Sequence, residues 1–280
     1  MKDFYLLIDT TWISCYLASK WIEHFDGIPN FQGILVKEDM PSERILQQRE
    51  SFHTKYVGQK QLTHEMHGML RGLYPELDET ERALTSLFGV PQYSTTQYSK
   101  TFFFNNLNGV HAKNWLTKTC QNASPLFFVS VTQILKPWWI KMTKSHMLNC
   151  HPAILPYARG RFSIENIAIL KDINQFKQAI GTTIHYIDEG VDTGPIIRAE
   201  RIVEPFRFNS IWELKAYIYM TGNDLFVKTA KDILSNTEMM PAGVVPNPNL
   251  LGTQFVEKNF TSDNHKLAEE AYLSMKNSLK

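Results

Sequence analysis

The chain has 280 residues, of which 43% are hydrophobic and 20% are charged, and this composition is typical of a globular protein with a sizeable core. The formal net charge of +1 argues against a large nucleic-acid surface, which would require clustered lysine and arginine residues. Three widely spaced cysteines predict neither a disulfide framework nor a thiolate zinc site, and the absence of 18 consecutive apolar residues predicts no membrane span.

The N-terminal part of the sequence predicts the start of a parallel sheet. An apolar strand is predicted over residues 4–8, a helix over 12–24 and a second strand over 32–36, which together form a β-α-β unit. The first turn, at residues 9–12, contains no glycine, so neither a dinucleotide site nor a phosphate anchor is predicted there. Residues 41–89 are charged and helix-prone, and we interpret them as a helical insertion.

The N-terminus does not have the pattern of a secretory signal peptide. Asp3 and Asp9 bracket only five apolar residues, which are too few for the apolar region of such a peptide. Together with the unpaired cysteines, this pattern predicts a reducing, cytoplasmic setting.

Strands and helices continue to alternate through the rest of the chain. We predict helices over residues 107–119, with Val110, Trp115 and Leu116 facing inward, and 162–170, and strands over 126–131, 182–187 and 195–203. Residues after 205 predict a long amphipathic helix to about 234, a proline-rich linker and a last helix over 262–275. We therefore predict a catalytic domain at residues 1–205 and a helical C-terminal extension at 206–280.

Polar side chains follow the predicted strand that ends at Asn149. Asn149 and His151 are two residues apart, so their side chains should point the same way, whereas Cys150 should point into the packing. Pro152 stops the strand because it has no N–H to donate. Ligands of open α/β sheets bind at the carboxyl ends of strands, so an amide and an imidazole there are candidate functional groups. Taken alone, the pattern fits equally well a turn in which both residues cap backbone groups.

Three acidic residues and two glycines lie close together in the loop at residues 188–194. This density is compatible with a calcium loop, but the D-x-D-x-D-G spacing is missing. We therefore predict no metal site.

Three spaced motifs together resemble the folate-dependent formyltransferase family. They are Ile134-Leu135-Lys136-Pro137, Asn149-x-His151-Pro152 with Leu155-Pro156, and Gly181-Thr182-Thr183-x-His185 leading to Asp188-x-Gly190-x-Asp192-x-Gly194. The family includes glycinamide ribonucleotide, methionyl-tRNA and amino-sugar formyltransferases, and the resemblance covers roughly residues 126–203. It implies a Rossmann-like α/β fold, with a mostly parallel twisted sheet and helices on both faces.

The resemblance also implies the site and its co-substrate, 10-formyltetrahydrofolate. By motif match, the catalytic residues fall on Asn149, His151 and Asp192, and a supporting histidine falls on His185. The folate would be bound largely through backbone groups of two loops, which comprise Thr132, Gln133, Ile134 and Leu135 in one, and Ile187, Asp188, Glu189, Gly190 and Asp192 in the other.

These residue types suit formyl transfer to an amine. Attack on the formyl carbon places negative charge on oxygen, to which the Asn149 amide and a His151 imidazolium could donate hydrogen bonds. Asp192 could move the amine proton directly or through a water molecule. Considered alone, Asp192 would be better explained as the cap of an Asx turn.

The acceptor is left open by the resemblance, but the departures from the family pattern narrow it. The glycine-free first turn disfavours a phosphorylated purine precursor, and the helical C-terminus and near-neutral charge disfavour tRNA. The long insertion and the Tyr157-Ala158-Arg159-Gly160 continuation resemble more the hydroxyornithine formyltransferase of pyoverdine siderophore biosynthesis. Asp9 and Arg159 are then candidate contacts for the α-amino and α-carboxylate groups of the acceptor.

Three alternatives remain open at this point. The chain could formylate a nucleotide-linked amino sugar, hydrolyse formyltetrahydrofolate, or bind folate without turnover. The expected partner is a small-molecule amine acceptor, and neither nucleic acid nor membrane is expected. The sequence does not predict an oligomeric state.

Overall fold

The computed structural model describes residues 2–74, 77–235 and 240–279. Within these residues the strands are β1 (Phe4–Asp9), β2 (Phe31–Lys37), β3 (Thr101–Phe103), β4 (Leu126–Ser130), β5 (Met147–His151), β6 (Arg159–Gly160), β7 (Gly181–Tyr186), β8 (Ile196–Arg201) and β9 (Gln254–Phe255). The α-helices are α1 (Trp12–Phe25), α2 (Glu43–Tyr56), α3 (His64–Leu73), α4 (Glu79–Phe88), α5 (Val110–Thr119), α6 (Pro137–Met142), α7 (Ser163–Ile169), α8 (Ile173–Ala179), α9 (Ile211–Ser235) and α10 (Ser262–Asn277).

Seven strands form a mostly parallel sheet in the order β3-β2-β1-β4-β5-β7-β8. Parallel pairs join β3 to β2, β2 to β1, β1 to β4 and β4 to β5, and β8 pairs antiparallel with β7. The residues of β1 are all buried, which explains its continuous apolar run. The predicted α/β fold with a mostly parallel sheet is confirmed.

The chain divides into two compact units. The first comprises Met1–Asn149 and Phe226–Met240, and the second comprises Cys150–Leu225 and Pro241–Lys280. The boundaries of these units differ from the predicted division at residue 205. That division separated a catalytic domain from a C-terminal extension, and it stays a prediction. The difference arises because α9 contributes to two cores: Ile211, Leu214 and Ile218 belong to a cluster of the second unit, whereas Phe226 contacts Phe128 of the first at 5.3 Å between ring centroids.

Hydrogen bonds connect the predicted insertion to α1 within the first unit. Thr11 caps α1 by accepting the N–H of Ser14, and the Trp12 indole N–H that follows donates to Thr85 Oγ1 at 2.9 Å. The Tyr16 hydroxyl donates to the Gly89 carbonyl at 2.8 Å. The insertion is helical, as predicted, and α4 packs on α1 through these contacts.

Two predictions about helical segments differ from the structure. Helix α5 begins at Val110 rather than at residue 107, because Gly109 occupies the N-cap, and Val110 is 64% exposed instead of facing inward. The C-terminal extension was expected to be helical, but it also contains β9, which pairs in parallel with β6. Two-residue strands carry no periodic signal, so this pairing could not be predicted from the sequence.

No helix among the described residues is both long and apolar enough to cross a lipid bilayer.

A buried histidine of the insertion, His53, is expected to make the stability of the protein depend on pH. The His53 Nδ1–H donates to the Pro91 carbonyl at 2.7 Å, and the Tyr74 hydroxyl donates to Nε2 at 2.8 Å. Burial lowers the pKa of His53 to about 4; the bond to Pro91 opposes this shift, and the nearby Arg49 charge adds to it. The neutral imidazole of His53 therefore has a hydrogen-bond partner at each ring nitrogen.

We expect the free energy of unfolding to fall by about 3 kcal/mol between pH 6.5 and pH 4 because of His53. Over this window the unfolded chain binds a proton that the folded chain, with its lower pKa, does not bind. Chemical denaturation at several pH values should show a shallower dependence for His53→Gln. The variant of the exposed His111, His111→Gln, is the matched control and should behave as the wild type. An unchanged slope in His53→Gln would contradict the assignment.

Candidate active site

Strand β5 carries the Asn-x-His motif. The strand extends through His151 to the residue before Pro152, two residues beyond its predicted end at Asn149. Asn149 is half-buried, lies in the first unit and pairs with Val129 of β4. His151 lies in the second unit and is buried. The two residues follow one another on one strand with a single residue between them.

Cys150 packs against its neighbours, as predicted. Its Sγ lies 3.5 Å from Thr182 Oγ1 of β7. Burial raises the pKa of the Cys150 thiol to about 12, which the hydrogen bond with Thr182 only partly opposes. A nucleophile would need the thiolate, so Cys150 is not suited to nucleophilic chemistry.

The second unit brings His151, His185 and Asp192 together. Asp192 Oδ2 lies 3.5 Å from His151 Nδ1, and Asp192 Oδ1 lies 3.5 Å from His185 Nε2. Asp192 Oδ2 also accepts the Gly160 N–H at 2.8 Å. Each histidine donates its other ring N–H to a backbone carbonyl, His151 to Ala158 at 3.0 Å and His185 to Tyr186 at 2.8 Å. The carboxylate is therefore located between two oriented imidazole rings.

Asp192 is ionised in this environment. Burial opposes its ionisation, but the His151 ring, the hydrogen bond and charge of His185, and the Gly160 N–H outweigh burial and hold the pKa of Asp192 well below its usual value. Burial lowers the pKa of His151, although the Asp192 carboxylate opposes that shift. Burial of the ring therefore favours the uncharged imidazole, whereas the neighbouring carboxylate favours the protonated form.

The pair of Asp192 and His151 can accept one proton. Because the Nε2–H of His151 is directed to Ala158, Nδ1 is the acceptor nitrogen of the neutral ring. A proton on Nδ1 would lie between this nitrogen and the carboxylate and would form a charge-assisted hydrogen bond. The sequence had led us to expect an imidazolium that donates to the substrate. The geometry instead assigns the Nε2–H to a backbone carbonyl, because the loop after Pro156 returns to the ring.

The loop that carries Asp192 is tightly wound. Asp192 has a positive φ of 53°, and a β-carbon on Gly194 would lie 1.9 Å from the Tyr186 carbonyl oxygen. The Asp188 carboxylate accepts the Gly190 N–H at 3.1 Å and the Thr193 hydroxyl at 2.8 Å. Glu189 and Gly190 are exposed, and Ile187 and Asp188 are half-buried. The acidic side chains of the loop thus have different tasks: Asp188 closes the turn and Asp192 faces the histidines.

The other loop of the predicted folate site belongs to the first unit and is fixed by hydrogen bonds. Gln133 Oε1 accepts the Leu107 N–H at 3.1 Å. The Ile134 carbonyl accepts the Asn108 amide at 2.8 Å, while the Ile134 side chain is 72% exposed. Thr132 is exposed and Leu135 is half-buried. The prediction that this loop binds folate through its backbone stays a prediction. The Gln133 side chain is engaged with the Leu107 N–H and the Ile134 side chain is exposed.

The two predicted acceptor contacts are both engaged within the protein. Asp9 is buried, and its Oδ2 accepts the Thr132 N–H at 2.6 Å. The Arg159 guanidinium donates to the Gly252 carbonyl at 3.1 Å and 3.3 Å, and to the Val191 carbonyl at 3.3 Å. Asp9 therefore holds a loop in the first unit, and Arg159 holds loops in the second.

The sequence reading missed two backbone groups of the site. The Ala158 carbonyl and the Gly160 N–H contact His151 and Asp192, respectively. Gly160 was the sequence signal for this arrangement, because a glycine in a loop often marks a positive φ or a close approach of the backbone. In the structure its φ is 85°. Among the described residues, no three histidine, cysteine or acidic side chains are placed to hold a metal ion.

Comparisons with known proteins show which proteins part of the chain is similar to. Residues 94–204 match the family described as formyl transferase. Over 143 residues the chain is 29% identical to the trifunctional purine biosynthetic protein adenosine-3 of Chironomus tentans, covering 51% of this chain and 10% of that protein. Over 88 residues it is 30% identical to the phosphoribosylglycinamide formyltransferase of Bacillus subtilis, covering 31% and 42%, respectively.

The fold is also found in a solved structure. The 4-N formyltransferase of Francisella tularensis superposes with a TM-score of 0.53 at 15% identity, and the match covers 96% of this chain and 87% of that one. The chain spans less than half the length of the two sequence relatives. Residues 94–204, which include β5, β7 and the loop of Asp192, are therefore similar in sequence to the formyl transferase family.

Proposed function

We propose that this protein transfers a formyl group from 10-formyltetrahydrofolate to an amine nitrogen of a small acceptor. The observation that carries the proposal is the ionised Asp192 held between His151 and His185, 3.5 Å from one nitrogen of each ring. The family match of residues 94–204 contains all three side chains. Formyl transfer to an amine needs a group that removes a proton, and this trio provides it.

Each of the proposed catalytic residues has a defined task. 10-Formyltetrahydrofolate would supply the formyl carbon that the acceptor amine attacks. Asn149 donates its amide N–H to the oxygen on which negative charge develops, a contribution worth about 10²–10³ in rate. Asp192 and His151 would receive the proton that the attacking amine loses, with Nδ1 of His151 as the accepting nitrogen. The same pair would return this proton to the folate nitrogen as its bond to the formyl carbon breaks, so that formylated amine and tetrahydrofolate are the products. His185 orients the carboxylate from its other side.

For the folate we propose two loops that contribute mainly backbone groups. One contains Thr132, Gln133, Ile134 and Leu135, and the other contains Ile187, Asp188, Glu189, Gly190 and Asp192. Hydrogen bonds of Gln133 and Asp188 within the protein support this role, because they fix the backbone before any ligand binds.

For the acceptor we propose N5-hydroxyornithine, a small zwitterion. A hydroxylamine is largely unprotonated near neutral pH, so its attack requires only a weak base such as the Asp192 carboxylate. Asp9 and Arg159 remain candidate contacts through the lone pairs and N–H groups that their internal bonds leave available. Since both side chains already hold loops, their contribution to the acceptor would be secondary.

Charge at the carboxyl ends of β1 and β2 supports a non-phosphorylated acceptor. Asp9 pairs with Lys37 at 3.7 Å, and Glu38 pairs with the buried Arg49 at 2.7 Å. Asp39 is exposed and adds a further negative charge. Three acids against two bases leave this edge negative, which would repel a nucleotide or sugar phosphate and attract an α-ammonium group.

The assay that tests the proposal incubates the protein with 10-formyltetrahydrofolate and separate amines. The panel contains N5-hydroxyornithine, ornithine, glycinamide ribonucleotide and a nucleotide-linked amino sugar, and one reaction contains no amine. Mass spectrometry should detect a formylated product with hydroxyornithine and no formate in the reaction without amine. If only the amino sugar were formylated, the acceptor would be an amino sugar rather than hydroxyornithine. If formate were released without any amine, the protein would be a formyltetrahydrofolate hydrolase. Folate binding without turnover of any amine would overturn the proposal.

A further inference from the structure

We propose that the C-terminal strap, residues 252–260, is a positioning element of the active site, and this inference rests on the proposed function. The strap lies alongside the catalytic loop, residues 156–162, which follows the Asn-x-His-Pro motif. Both segments belong to the second unit. The strap lies beyond residue 204, where the family match ends, so it is a feature of this chain outside the matched domain.

Backbone hydrogen bonds join the strap to the catalytic loop along its length. The Gly252 N–H donates to the Pro156 carbonyl at 2.8 Å. Further along, the Arg159 N–H donates to the Thr253 carbonyl at 3.4 Å, and the Arg161 N–H donates to the Phe255 carbonyl at 3.2 Å. The register is that of the parallel β6–β9 pair.

Side chains extend this contact at both ends. The Arg159 guanidinium donates to the Gly252 carbonyl in the strap and to the Val191 carbonyl, which precedes Asp192. At the far end, Arg161 pairs with Glu257 at 2.6 Å. The Phe162 and Phe260 rings stack with centroids 4.3 Å apart and planes 9° from parallel.

Two glycines allow the segments to approach this closely. A β-carbon on Gly160 would lie 2.0 Å from the Phe255 carbonyl oxygen, and one on Gly252 would lie 1.9 Å from the Tyr157 carbonyl oxygen. Neither distance is accessible to a real side chain, so any substitution at Gly252 must push the strap off the loop.

The catalytic loop transmits the position of the strap to the reacting groups. Its Ala158 carbonyl accepts the Nε2–H of His151 and thereby selects the tautomer whose Nδ1 faces Asp192. Its Gly160 N–H donates to Asp192 Oδ2. If the loop were displaced, His151 would no longer be restricted to one tautomer, and Asp192 would lose the hydrogen bond that orients its carboxylate.

The test compares Gly252→Ala, the double variant Glu257→Ala/Phe260→Ala and the control Glu270→Ala. Glu270 lies on α10 and pairs with Lys266 at 3.9 Å outside the strap. Ring-nitrogen chemical shifts of His151, measured by NMR in the absence of folate, should show a single Nε2–H tautomer in the wild type and control, and a mixture of tautomers in the strap variants. The kcat of the strap variants should fall about 10–100-fold, with KM for the folate within about twofold of wild type.

Wild-type His151 shifts in folded strap variants would overturn the inference, even if their melting temperature fell, because the strap would then be only structural. If Gly252→Ala does not fold, the double variant, which alters only exposed or half-buried side chains, gives the answer. The NMR measurement needs no turnover. If the wild-type protein had no transferase activity, the proposed function would be wrong, but the His151 chemical shifts would still show whether the strap positions the ring.

Discussion

Asp192→Asn is expected to lower kcat for formyl transfer by about 10²–10⁴, because the amide cannot take up the proton that the carboxylate and His151 share. The change preserves the size of the side chain and leaves an oxygen to accept the Gly160 N–H, so the loop should keep its shape. Steady-state rates at saturating folate and acceptor provide the measurement. Asp172→Asn is the matched control: Asp172 caps α8, and asparagine is an equally good cap.

The same variant should also change the dependence of stability on pH. The pKa of Asp192 is lower in the folded than in the unfolded chain, so its carboxylate stabilises the fold above pH 4 and this contribution is lost as the pH falls further. Asp192→Asn should therefore destabilise the protein more at pH 7 than at pH 3.

For catalysis, an Asp192→Asn variant with at least a tenth of the wild-type kcat would exclude Asp192 as the proton acceptor.

Asn149→Ala is expected to lower kcat by about 10²–10³ with little change in KM, since the amide would act on charge that develops only in the transition state. Asn149→Asp tests the cause: it keeps the volume of the side chain but removes its N–H donors, so it should be as slow as the alanine variant. Initial rates with each variant provide the comparison, and Asn114→Ala, at an exposed position on α5, is the control.

An active Asn149→Asp variant would show that the alanine variant fails through lost packing rather than through a lost donor. Rates near wild type in both variants would remove Asn149 from the mechanism.

Local patterns in the sequence were sufficient to predict the class of fold. The continuous apolar run over residues 4–8 predicted the strand β1, and the helix predicted over residues 12–24 corresponds to α1. These features depend on periodicity and capping within a few residues, so the sequence records them directly. The motif at Asn149 and His151 was visible for the same reason, since alternate residues of a strand share one side.

The arrangement around Asp192 depended on contacts that have no local signature. His185 and Asp192 could be assigned to a site only by resemblance, and the structure supplied the tautomer of His151 through the Ala158 carbonyl. Asp9 and Arg159 looked available in the sequence, but the fold engages both with backbone groups of distant loops.

By itself, the sequence determined the succession of strands and helices, the Asn-x-His motif at a strand end and the acidic loop after β7, because each is written in neighbouring residues. Only the tertiary structure decided which nitrogen of His151 faces Asp192 and which segment secures the catalytic loop. The strap meets that loop through partners as far apart as Arg159 and Gly252, which are 93 residues apart in the chain. Hydrogen bonds over such a separation depend on the whole second unit being folded, and no spacing within the sequence encodes them.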